Sequence, residues 1–336
     1  MNVSKPLRVG FIGYGYWGPI VLRNFQENGE AEVVAVCDRH QANLEKVRAA
    51  GSDIRTTMKA EDVIGAEDVE LVVITTQAAT HYGLVQAALE SGKHVFVEKP
   101  FTLDLAEARE LGELADKKKR VLMVDHTFMF TPAFERVKQV VAAGELGEFN
   151  YFYSLRAGFG VVPKDANVLW HLLYHDVYMI LDLAGRMPRT VRAVVQSKVV
   201  DNVGDAGNLI LTFDGGLTAF IHGSLVFPSK RRDIVVGGAD KMLCWDDTQP
   251  EERKLSLVSR SAQWDEETQR VAHQDAGTKF IPVAKEEALA KEIAYLLNCV
   301  RTGQGPSNGA SAAIDVIRVL AAGEASLSRG GAEASL

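Results

Sequence analysis

The chain has 336 residues, enough for two domains, and 47% of them are hydrophobic, which is typical of a soluble globular protein. A formal net charge of −7 gives no electrostatic case for binding nucleic acid or an anionic membrane surface. No apolar run is long enough to span a membrane, and the N-terminus lacks the hydrophobic region of a signal peptide. The scattered cysteines Cys37, Cys244 and Cys299 indicate a reducing cytoplasm and no disulfide framework.

A glycine-rich turn follows the first apolar segment. Residues 7–12 are typical of a buried strand, and Gly13, Gly15 and Gly18 follow in the spacing Gly-x-Gly-x-x-Gly at the start of a helical pattern. In such a turn the first glycine permits the bend, the second leaves room for a pyrophosphate, and the third lets the helix pack close to the strand. The sequence therefore predicts a dinucleotide site formed by Gly13, Tyr14, Gly15, Tyr16, Trp17 and Gly18.

A second apolar run, 33–37, ends in Asp38, where a carboxylate is expected to bind the adenosine ribose. This favours NAD, because the carboxylate accepts a hydrogen bond from the free 2′-hydroxyl and repels a 2′-phosphate. Arg39 and His40 follow directly and could meet that phosphate, so NADP remains the alternative cofactor.

Apolar strands alternate with helical patterns as far as residue 125. Strands near 71–74, 94–97 and 121–124 show no polar alternation, which is typical of a parallel sheet covered by helices on both faces. We predict a doubly wound Rossmann domain over residues 1–125. The basic run 117–120 is interpreted as a solvated helix end rather than a nucleic-acid site.

Beyond residue 125 the pattern favours a second, α+β domain over 126–336 with a large, mostly antiparallel sheet. Asp214-Gly215-Gly216 predicts a hairpin turn, whereas 247–280 gives no clear prediction. Two closing helices are predicted, which could pack back on the first domain, and the tail after Ser328 is expected to fray. The predicted strands are 148–157, 190–199, 207–214, 217–227, 231–238 and 241–246, and the closing helices are 285–302 and 310–327.

Lys99 lies just beyond a predicted parallel strand, between Glu98 and Pro100. Open α/β sheets place their ligands at this edge, and Pro100 restricts the backbone of Lys99 to extended conformations. A lysine here can hydrogen-bond a substrate oxygen and stabilise the negative charge that develops as hydride moves. The alternative, a surface lysine before a loop, does not account for its position at the strand end.

A second group of polar residues lies in a predicted helix over 165–182. His171 and His175 are four residues apart and share a face, with Tyr178 next along it. An imidazole can exchange a proton near neutral pH, as interconversion of carbonyl and alcohol requires. Zinc binding and histidines without a role are the alternatives, but no third metal ligand is evident, so no metal is predicted. The helix is expected to begin near Asp165 or Asn167.

The Gly13-to-Gly18 turn, Glu98-Lys99-Pro100 and the His175 helix ahead of an antiparallel sheet together resemble the glucose–fructose oxidoreductase, inositol dehydrogenase and MocA (Gfo/Idh/MocA) family, over essentially the whole chain. The resemblance implies that Lys99 and His175 are the catalytic pair, with His175 as general acid/base and Lys99 orienting the reacting oxygen. The glycine turn is similar to a branch associated with sugar and nucleotide-sugar metabolism, which implies a sugar-like substrate. Family members are usually dimers or tetramers, so a homodimer or homotetramer is expected, formed through the exposed face of the sheet.

The resemblance implies further site residues. Thr75, Thr76 and Gln77 would line the nicotinamide cleft, and the other residues expected near the cofactor are His81, Glu98, Lys99 and Pro100. The residues expected to face the substrate are Arg156, Asn167, Trp170, His171 and Tyr178, and His171 is also a candidate catalytic residue.

Three positions depart from the family pattern. Proline is usual where Gln77 stands, glycine is frequent where Asp125 stands, and aspartate is general where His171 stands, four residues before the catalytic histidine. The loss of a carboxylate at position 171 indicates either an altered reaction or a binding protein that has lost catalysis.

The leading hypothesis is NAD(P)-dependent oxidation or reduction at a ring carbon of a sugar, nucleotide sugar or cyclitol. The alternative from a different class is a nucleotide-sensing regulator, which Lys99 and His175 argue against and His171 weakly favours. An amino-acid or imine dehydrogenase of related architecture would explain the placement of Glu98-Lys99-Pro100 less well.

Overall fold

The computed structural model describes residues 5–50, 53–160, 166–201 and 203–336. The chain divides into two compact units. The first comprises the described part of Met1–Phe130 together with Glu287–Ile317. The second comprises the described parts of Thr131–Glu286 together with Arg318–Leu336.

Helices and strands alternate in the first part of the chain, and strands dominate the second. The strands are β1 (Leu7–Ile12), β2 (Ala31–Cys37), β3 (Arg55–Thr57), β4 (Leu71–Ile74), β5 (His94–Val97), β6 (Leu122–Val124), β7 (Phe149–Phe159), β8 (Thr190–Gln196), β9 (Ala206–Thr212), β10 (Thr218–Ser224), β11 (Val226–Gly238), β12 (Met242–Asp246), β13 (Leu255–Asp265), β14 (Arg270–Phe280) and β15 (Ala334–Ser335). The α-helices are α1 (Gly18–Glu27), α2 (Gln41–Ala49), α3 (Ala60–Ile64), α4 (His81–Glu90), α5 (Leu105–Lys118), α6 (Pro132–Ala142), α7 (Tyr174–Ala184), α8 (Ala288–Thr302) and α9 (Ala310–Leu327).

The first unit is built on a six-stranded parallel sheet in the order β3-β2-β1-β4-β5-β6. All four residues of β4 are buried, which explains why its sequence is apolar without alternation. Between α1 and the sheet, Phe25 makes edge-to-face contacts with Phe11 and Phe96 at centroid distances of 5.4 and 6.3 Å. Helix α8 adds Ile293 and other apolar side chains to the same core. The predicted Rossmann architecture is confirmed.

The second unit is built on a nine-stranded sheet in the order β14-β13-β12-β11-β7-β10-β9-β8-β15. Only the β7–β10 pair is parallel among the described pairs, so the prediction of a mostly antiparallel sheet is confirmed. The predicted turn at 214–216 joins β9 to β10, with Gly215 and Gly216 at φ of +75° and +89°.

No clear prediction was made from the sequence for one part of the second unit, the stretch 247–280, and the prediction for another part, the C-terminal tail, is wrong. The polar stretch 247–280 contains the long β13–β14 hairpin, in which every residue of β14 is exposed. The tail does not fray as predicted, because Ala334 pairs with Val191 of β8. Ser326 supports this pairing: its hydroxyl accepts a hydrogen bond from Ala193 N at 3.0 Å and donates to Ala332 O at 2.6 Å.

No helix within the described ranges is long and apolar enough to cross a membrane.

Candidate active site

The glycine turn leaves space on one side and closes tightly on the other. Gly13 has φ of +102°, and a Cβ there would meet Thr75 O at 2.7 Å. A Cβ on Gly18 would meet Gly13 O at 2.6 Å, whereas a Cβ on Gly15 would have nothing within 4 Å. Gly13 and Gly18 are therefore required for the turn itself, and the open space beside Gly15 fits the approach of a pyrophosphate.

Asp38 follows β2 and is buried, with 7% of its surface exposed. Its Oδ2 accepts a hydrogen bond from Tyr14 N and its Oδ1 accepts one from His40 N, both at 2.7 Å. The carboxylate is thus fixed against the glycine turn, where it can still accept hydrogen bonds from a ribose. Arg39 is exposed and its Nε donates to His40 Nε2 at 3.1 Å, just outside this position.

The two following strand ends are linked to the turn and to each other. The Thr75 hydroxyl after β4 donates to Gly13 O at 2.7 Å. The fully buried His81 ring lies between two carbonyl oxygens, with Nδ1 2.9 Å from Pro100 O and Nε2 3.1 Å from Thr76 O. Burial lowers the pKa of His81, although both carbonyls oppose the shift. His81 therefore links the segment after β4 to the segment after β5 through its contacts with these two carbonyl oxygens.

The remaining residues of these segments differ in exposure. Thr76 is half-buried, and its hydroxyl is 2.7 Å from that of Thr80. Gln77 is exposed and precedes a short 3₁₀ turn, Ala78–Thr80. Lys99 is half-buried two residues after the end of β5, and its peptide bond to Pro100 is cis, a feature that the sequence did not predict.

Three acidic side chains influence one another near the Lys99 segment: Asp125 and Glu292, which are buried, and Glu98, which is half-buried. Burial and the charge of Asp125 raise the pKa of Glu98 well above its ordinary value. Burial and the same charge raise the pKa of Glu292 in α8, whose Oε1 accepts from His126 N at 2.8 Å. Both glutamates are therefore shifted toward the protonated form, whereas the pKa of Asp125 is held below its ordinary value by the hydrogen bonds that its carboxylate accepts.

In the second unit the predicted helix over 165–182 has an irregular start. A π-helix, Leu169–Leu173, precedes α7, and the Oδ1 of Asn167 accepts a hydrogen bond from Leu169 N at 3.0 Å. Asp165 lies outside the described residues. A Cβ on Gly223 of β10 would meet the Leu173 side chain at 2.6 Å, so the π-helix packs directly on the sheet. His171 lies within this π-helix, a form that is frequent at functional sites.

Glu324 of α9 binds two of the residues expected to face the substrate. Its Oε1 accepts from Asn167 Nδ2 at 2.6 Å and from Trp170 Nε1 at 2.9 Å. Trp170 and Tyr178 are each only 7% exposed, whereas His171 and His175 are half-buried. The indole N–H of Trp170 is thus used within the protein.

Arg156 of β7, also expected to face the substrate, forms a buried ion pair. Its Nε lies 2.6 Å from Asp176 Oδ2 and its second guanidinium nitrogen 3.3 Å from Oδ1. The Ser154 hydroxyl donates to the same Oδ1 at 2.5 Å. Arg156 and Asp176 are 7% and 0% exposed, so the pair is withdrawn from water.

The structure therefore collects the predicted residues into two groups. The glycine turn, Asp38, Thr75, His81 and Lys99 lie together at the carboxyl edge of the parallel sheet. The second group, in the other unit, consists of Arg156, Asn167, Trp170, His171, His175 and Tyr178.

Sequence reasoning missed the acidic partners of these groups. Asp176 and Glu324 carried no signal, because their partners lie on distant parts of the chain. Asp125 departs from the family pattern and directly follows β6, and this position at a strand end was the available signal. Within the described ranges no three histidine, cysteine or acidic side chains are arranged to hold a metal ion.

Comparison with known proteins identifies the family to which the chain belongs. Residues 7–126 match the model of an oxidoreductase family with an NAD-binding Rossmann fold, and residues 134–243 match the GFO/IDH/MocA C-terminal domain. The chain belongs to the Gfo/Idh/MocA family. Its first domain is accordingly an NAD-binding Rossmann domain, and the predicted resemblance is confirmed.

Two curated relatives are similar over much of the chain. UDP-N-acetylglucosamine 3-dehydrogenase of Acidithiobacillus ferrooxidans is 29% identical, over 88% of this chain and 88% of that protein. Inositol 2-dehydrogenase of Rhizobium meliloti is 29% identical, over 65% of this chain and 68% of that protein.

Solved structures give the same fold. A structure of the A. ferrooxidans enzyme superposes with a TM-score of 0.79 at 26% identity, covering 95% of this chain and 98% of that one. GenD2 from gentamicin A biosynthesis, in complex with NAD, superposes with a TM-score of 0.85 at 20% identity, covering 100% and 98% of the two chains.

Proposed function

We propose that this protein is an NAD-dependent oxidoreductase that transfers hydride between the nicotinamide and a ring carbon of a sugar, nucleotide sugar or cyclitol. The observation that carries the proposal is the carboxyl edge of the parallel sheet, where Asp38 is held against the glycine turn and Lys99 follows β5. This is the edge at which open α/β sheets bind their ligands.

The residues at this edge fit a dinucleotide. The open space beside Gly15 would admit the pyrophosphate, and the Asp38 carboxylate would accept hydrogen bonds from the adenosine ribose hydroxyls. Thr75, Thr76, Gln77 and the Glu98-Lys99-Pro100 segment would border the nicotinamide. When bound, the nicotinamide supplies or accepts the hydride.

Two side chains would carry the rest of the chemistry. The Lys99 ammonium would donate a hydrogen bond to the reacting oxygen and stabilise its negative charge as the carbonyl forms or is reduced. The His175 imidazole would take the alcohol proton in the oxidative direction and return it in reduction. Positive charge on Lys99 gives this scheme an electrophile without a metal ion.

The substrate class rests on the relatives and on the residues near His175. The two curated relatives are named for UDP-N-acetylglucosamine and inositol, which both carry secondary ring alcohols. We propose His171, His175 and Tyr178 as groups that contact the substrate. Arg156, Asn167 and Trp170 would act mainly by holding this region, because their polar groups bind Asp176 and Glu324.

The cofactor preference follows from Asp38. Its fixed carboxylate favours the 2′-hydroxyl of NAD and disfavours the 2′-phosphate of NADP. Arg39 and His40 are exposed beside it and are the neighbours that could bind a phosphate there.

The proposal is tested by titrating the purified protein with NADH and NADPH and then screening sugars with the cofactor that binds. We expect tighter binding of NADH, and NAD-dependent oxidation of at least one nucleotide sugar or cyclitol. Lys99→Ala is the matched variant, which should keep NADH binding and lose turnover.

A nucleotide-sensing regulator is the second candidate, favoured by the histidine at position 171, where the family generally has a carboxylate. The same screen separates the two, because a regulator would bind NADH without catalysing hydride transfer to or from any ring alcohol.

We further propose a homodimer or homotetramer formed through the exposed face of the nine-stranded sheet. Phe220 and Tyr153 are cross-strand neighbours there, 45% and 40% exposed, and Tyr153 also pairs with Val235. Together they form an apolar strip on adjacent strands, which is typical of an interface. Analytical ultracentrifugation of the unaltered protein and of Phe220→Asp tests this, with dissociation expected in the variant.

We also propose a cytoplasmic location, since the three cysteines are unpaired in the structure and Cys37 and Cys299 are buried.

A further inference from the structure

Asp125 lies at the carboxyl edge of the parallel sheet, directly after its last strand, and is 3% exposed. Its Oδ2 accepts a hydrogen bond from Trp17 Nε1 at 3.1 Å. Its Oδ1 accepts from Thr127 N at 3.0 Å and from the Thr127 hydroxyl at 2.5 Å. Both carboxylate oxygens are therefore used, and one of them holds a residue of the glycine turn.

The contact joins distant parts of the sheet. Trp17 precedes α1 and follows β1, whereas Asp125 follows β6, and β4 and β5 lie between those two strands in the sheet. The indole therefore connects the glycine turn to a strand end beyond β5, the strand that leads to Lys99.

Asp125 stays charged although it is buried. Burial alone would raise the pKa of Asp125, but hydrogen bonds from Glu98, Thr127 and Trp17 outweigh burial and hold that pKa below its ordinary value. Asp125 is therefore the charged acceptor, and Trp17 and Thr127 are donors to it. A buried carboxylate is costly unless it is paired or fully hydrogen-bonded, and these donors satisfy Asp125.

We propose that Asp125 is a positioning residue for the cofactor, which fixes the glycine turn through the hydrogen bond that it accepts from Trp17. The inference rests on the proposed function, because it assigns Asp125 a role in presenting the glycine turn to the dinucleotide. Asp125 itself is not assigned a contact with the cofactor or the substrate.

The test is a double-mutant cycle on NADH binding. Asp125→Asn keeps the shape of the side chain but removes its charge and replaces an acceptor oxygen with a donor. Trp17→Phe removes the indole N–H and keeps an aromatic ring. Trp245→Phe is the matched control, because the buried Trp245 Nε1 has no hydrogen-bond partner among the described residues.

Calorimetric titration of each full-length variant with NADH, and thermal melting without NADH, give the two readouts. We expect Asp125→Asn and Trp17→Phe each to weaken NADH binding about tenfold, and the double variant to weaken it by about the same factor rather than about a hundredfold. Trp245→Phe should bind NADH as the unaltered protein does. Should Asp125→Asn not fold, NADH binding by Trp17→Phe is compared with that by Trp245→Phe, and equal affinity in these two variants would overturn the inference.

The outcomes separate this role from the proposed function. If the unaltered protein binds NADH and the variants bind it equally well, with only their melting temperatures lowered, Asp125 is structural and the inference is overturned. Independent, multiplying effects in the double variant would overturn it as well. If the unaltered protein binds neither NADH nor NADPH, the proposed function falls and this role falls with it.

Discussion

Replacing Asp176 with asparagine should destabilise the second unit far more than replacing an acid in an exposed ion pair. Asp176 is fully buried and accepts three hydrogen bonds, two from the Arg156 guanidinium and one from Ser154. Asparagine has nearly the same volume, so the substitution leaves no cavity. It removes the charge and points an N–H group at a donor.

The expected loss in the free energy of unfolding follows from the burial of Arg156, the charged partner that remains after the substitution. Arg156 remains 7% exposed and keeps its charge, and breaking a buried pair from one side costs about 3–5 kcal/mol. One oxygen of asparagine can still accept a hydrogen bond, so we expect Asp176→Asn to lower the free energy of unfolding by about 3 kcal/mol. Ser154→Ala removes one hydrogen bond to a charged group and should cost about 1.5 kcal/mol.

Urea unfolding followed by circular dichroism measures these differences. The control is Asp275→Asn, because Asp275 pairs with Arg260 at 3.0 Å while both side chains are more than half exposed, at 55% and 58%. The control should leave the unfolding midpoint unchanged, since surface pairs contribute little. If Asp176→Asn lowers the free energy of unfolding by less than about 1 kcal/mol, the claim that the Arg156–Asp176 pair is charged and shielded from water is refuted.

Three further predictions concern the first unit and the proposed chemistry. Lys99→Ala and His175→Ala should each retain NADH affinity by calorimetry while losing at least about 99% of turnover, and full activity in either variant would exclude that residue from the mechanism. Asp38→Ala should narrow the difference between the NADH and NADPH dissociation constants and also lower the melting temperature, because the carboxylate supports the turn; unchanged constants would contradict its assignment. Burial, with the nearby Arg120 charge, lowers the pKa of His94 from 6.5 to about 4, so its contribution to stability is complete above pH 6.5 and is lost as the pH falls toward 4. After allowance for its partial exposure this loss is roughly 2 kcal/mol, and His94→Asn should flatten that part of the urea-unfolding profile, whereas an unchanged profile would show that His94 does not cause it.

The first unit was largely predictable because burial of a parallel strand on both faces demands a continuous apolar run, as in β4. The glycine spacing was equally readable, since Gly13 and Gly18 would each clash with backbone if they carried a Cβ. The family resemblance then directed attention to Lys99 and His175, whose roles remain proposals.

The elements that escaped prediction are stabilised by other means. The β13–β14 hairpin is exposed along β14 and therefore lacks the polar–apolar alternation that reveals a half-buried strand. Strand β15 has only two residues and depends on pairing with β8. The π-helix before α7 and the contact of Glu324 with Asn167 depend on tertiary packing, for which a single sequence carries no local signal.

The most direct test of the proposed hydride transfer is to mix the protein and NAD with a panel of nucleotide sugars, free sugars and inositols. Formation of NADH is followed by absorbance at 340 nm. We expect that at least one ring alcohol reduces NAD, and that Lys99→Ala abolishes this signal while calorimetry shows that the variant still binds NADH. Binding of NADH with no absorbance change for any member of the panel, in either direction of the reaction and with either cofactor, would contradict the proposed hydride transfer and favour the regulator.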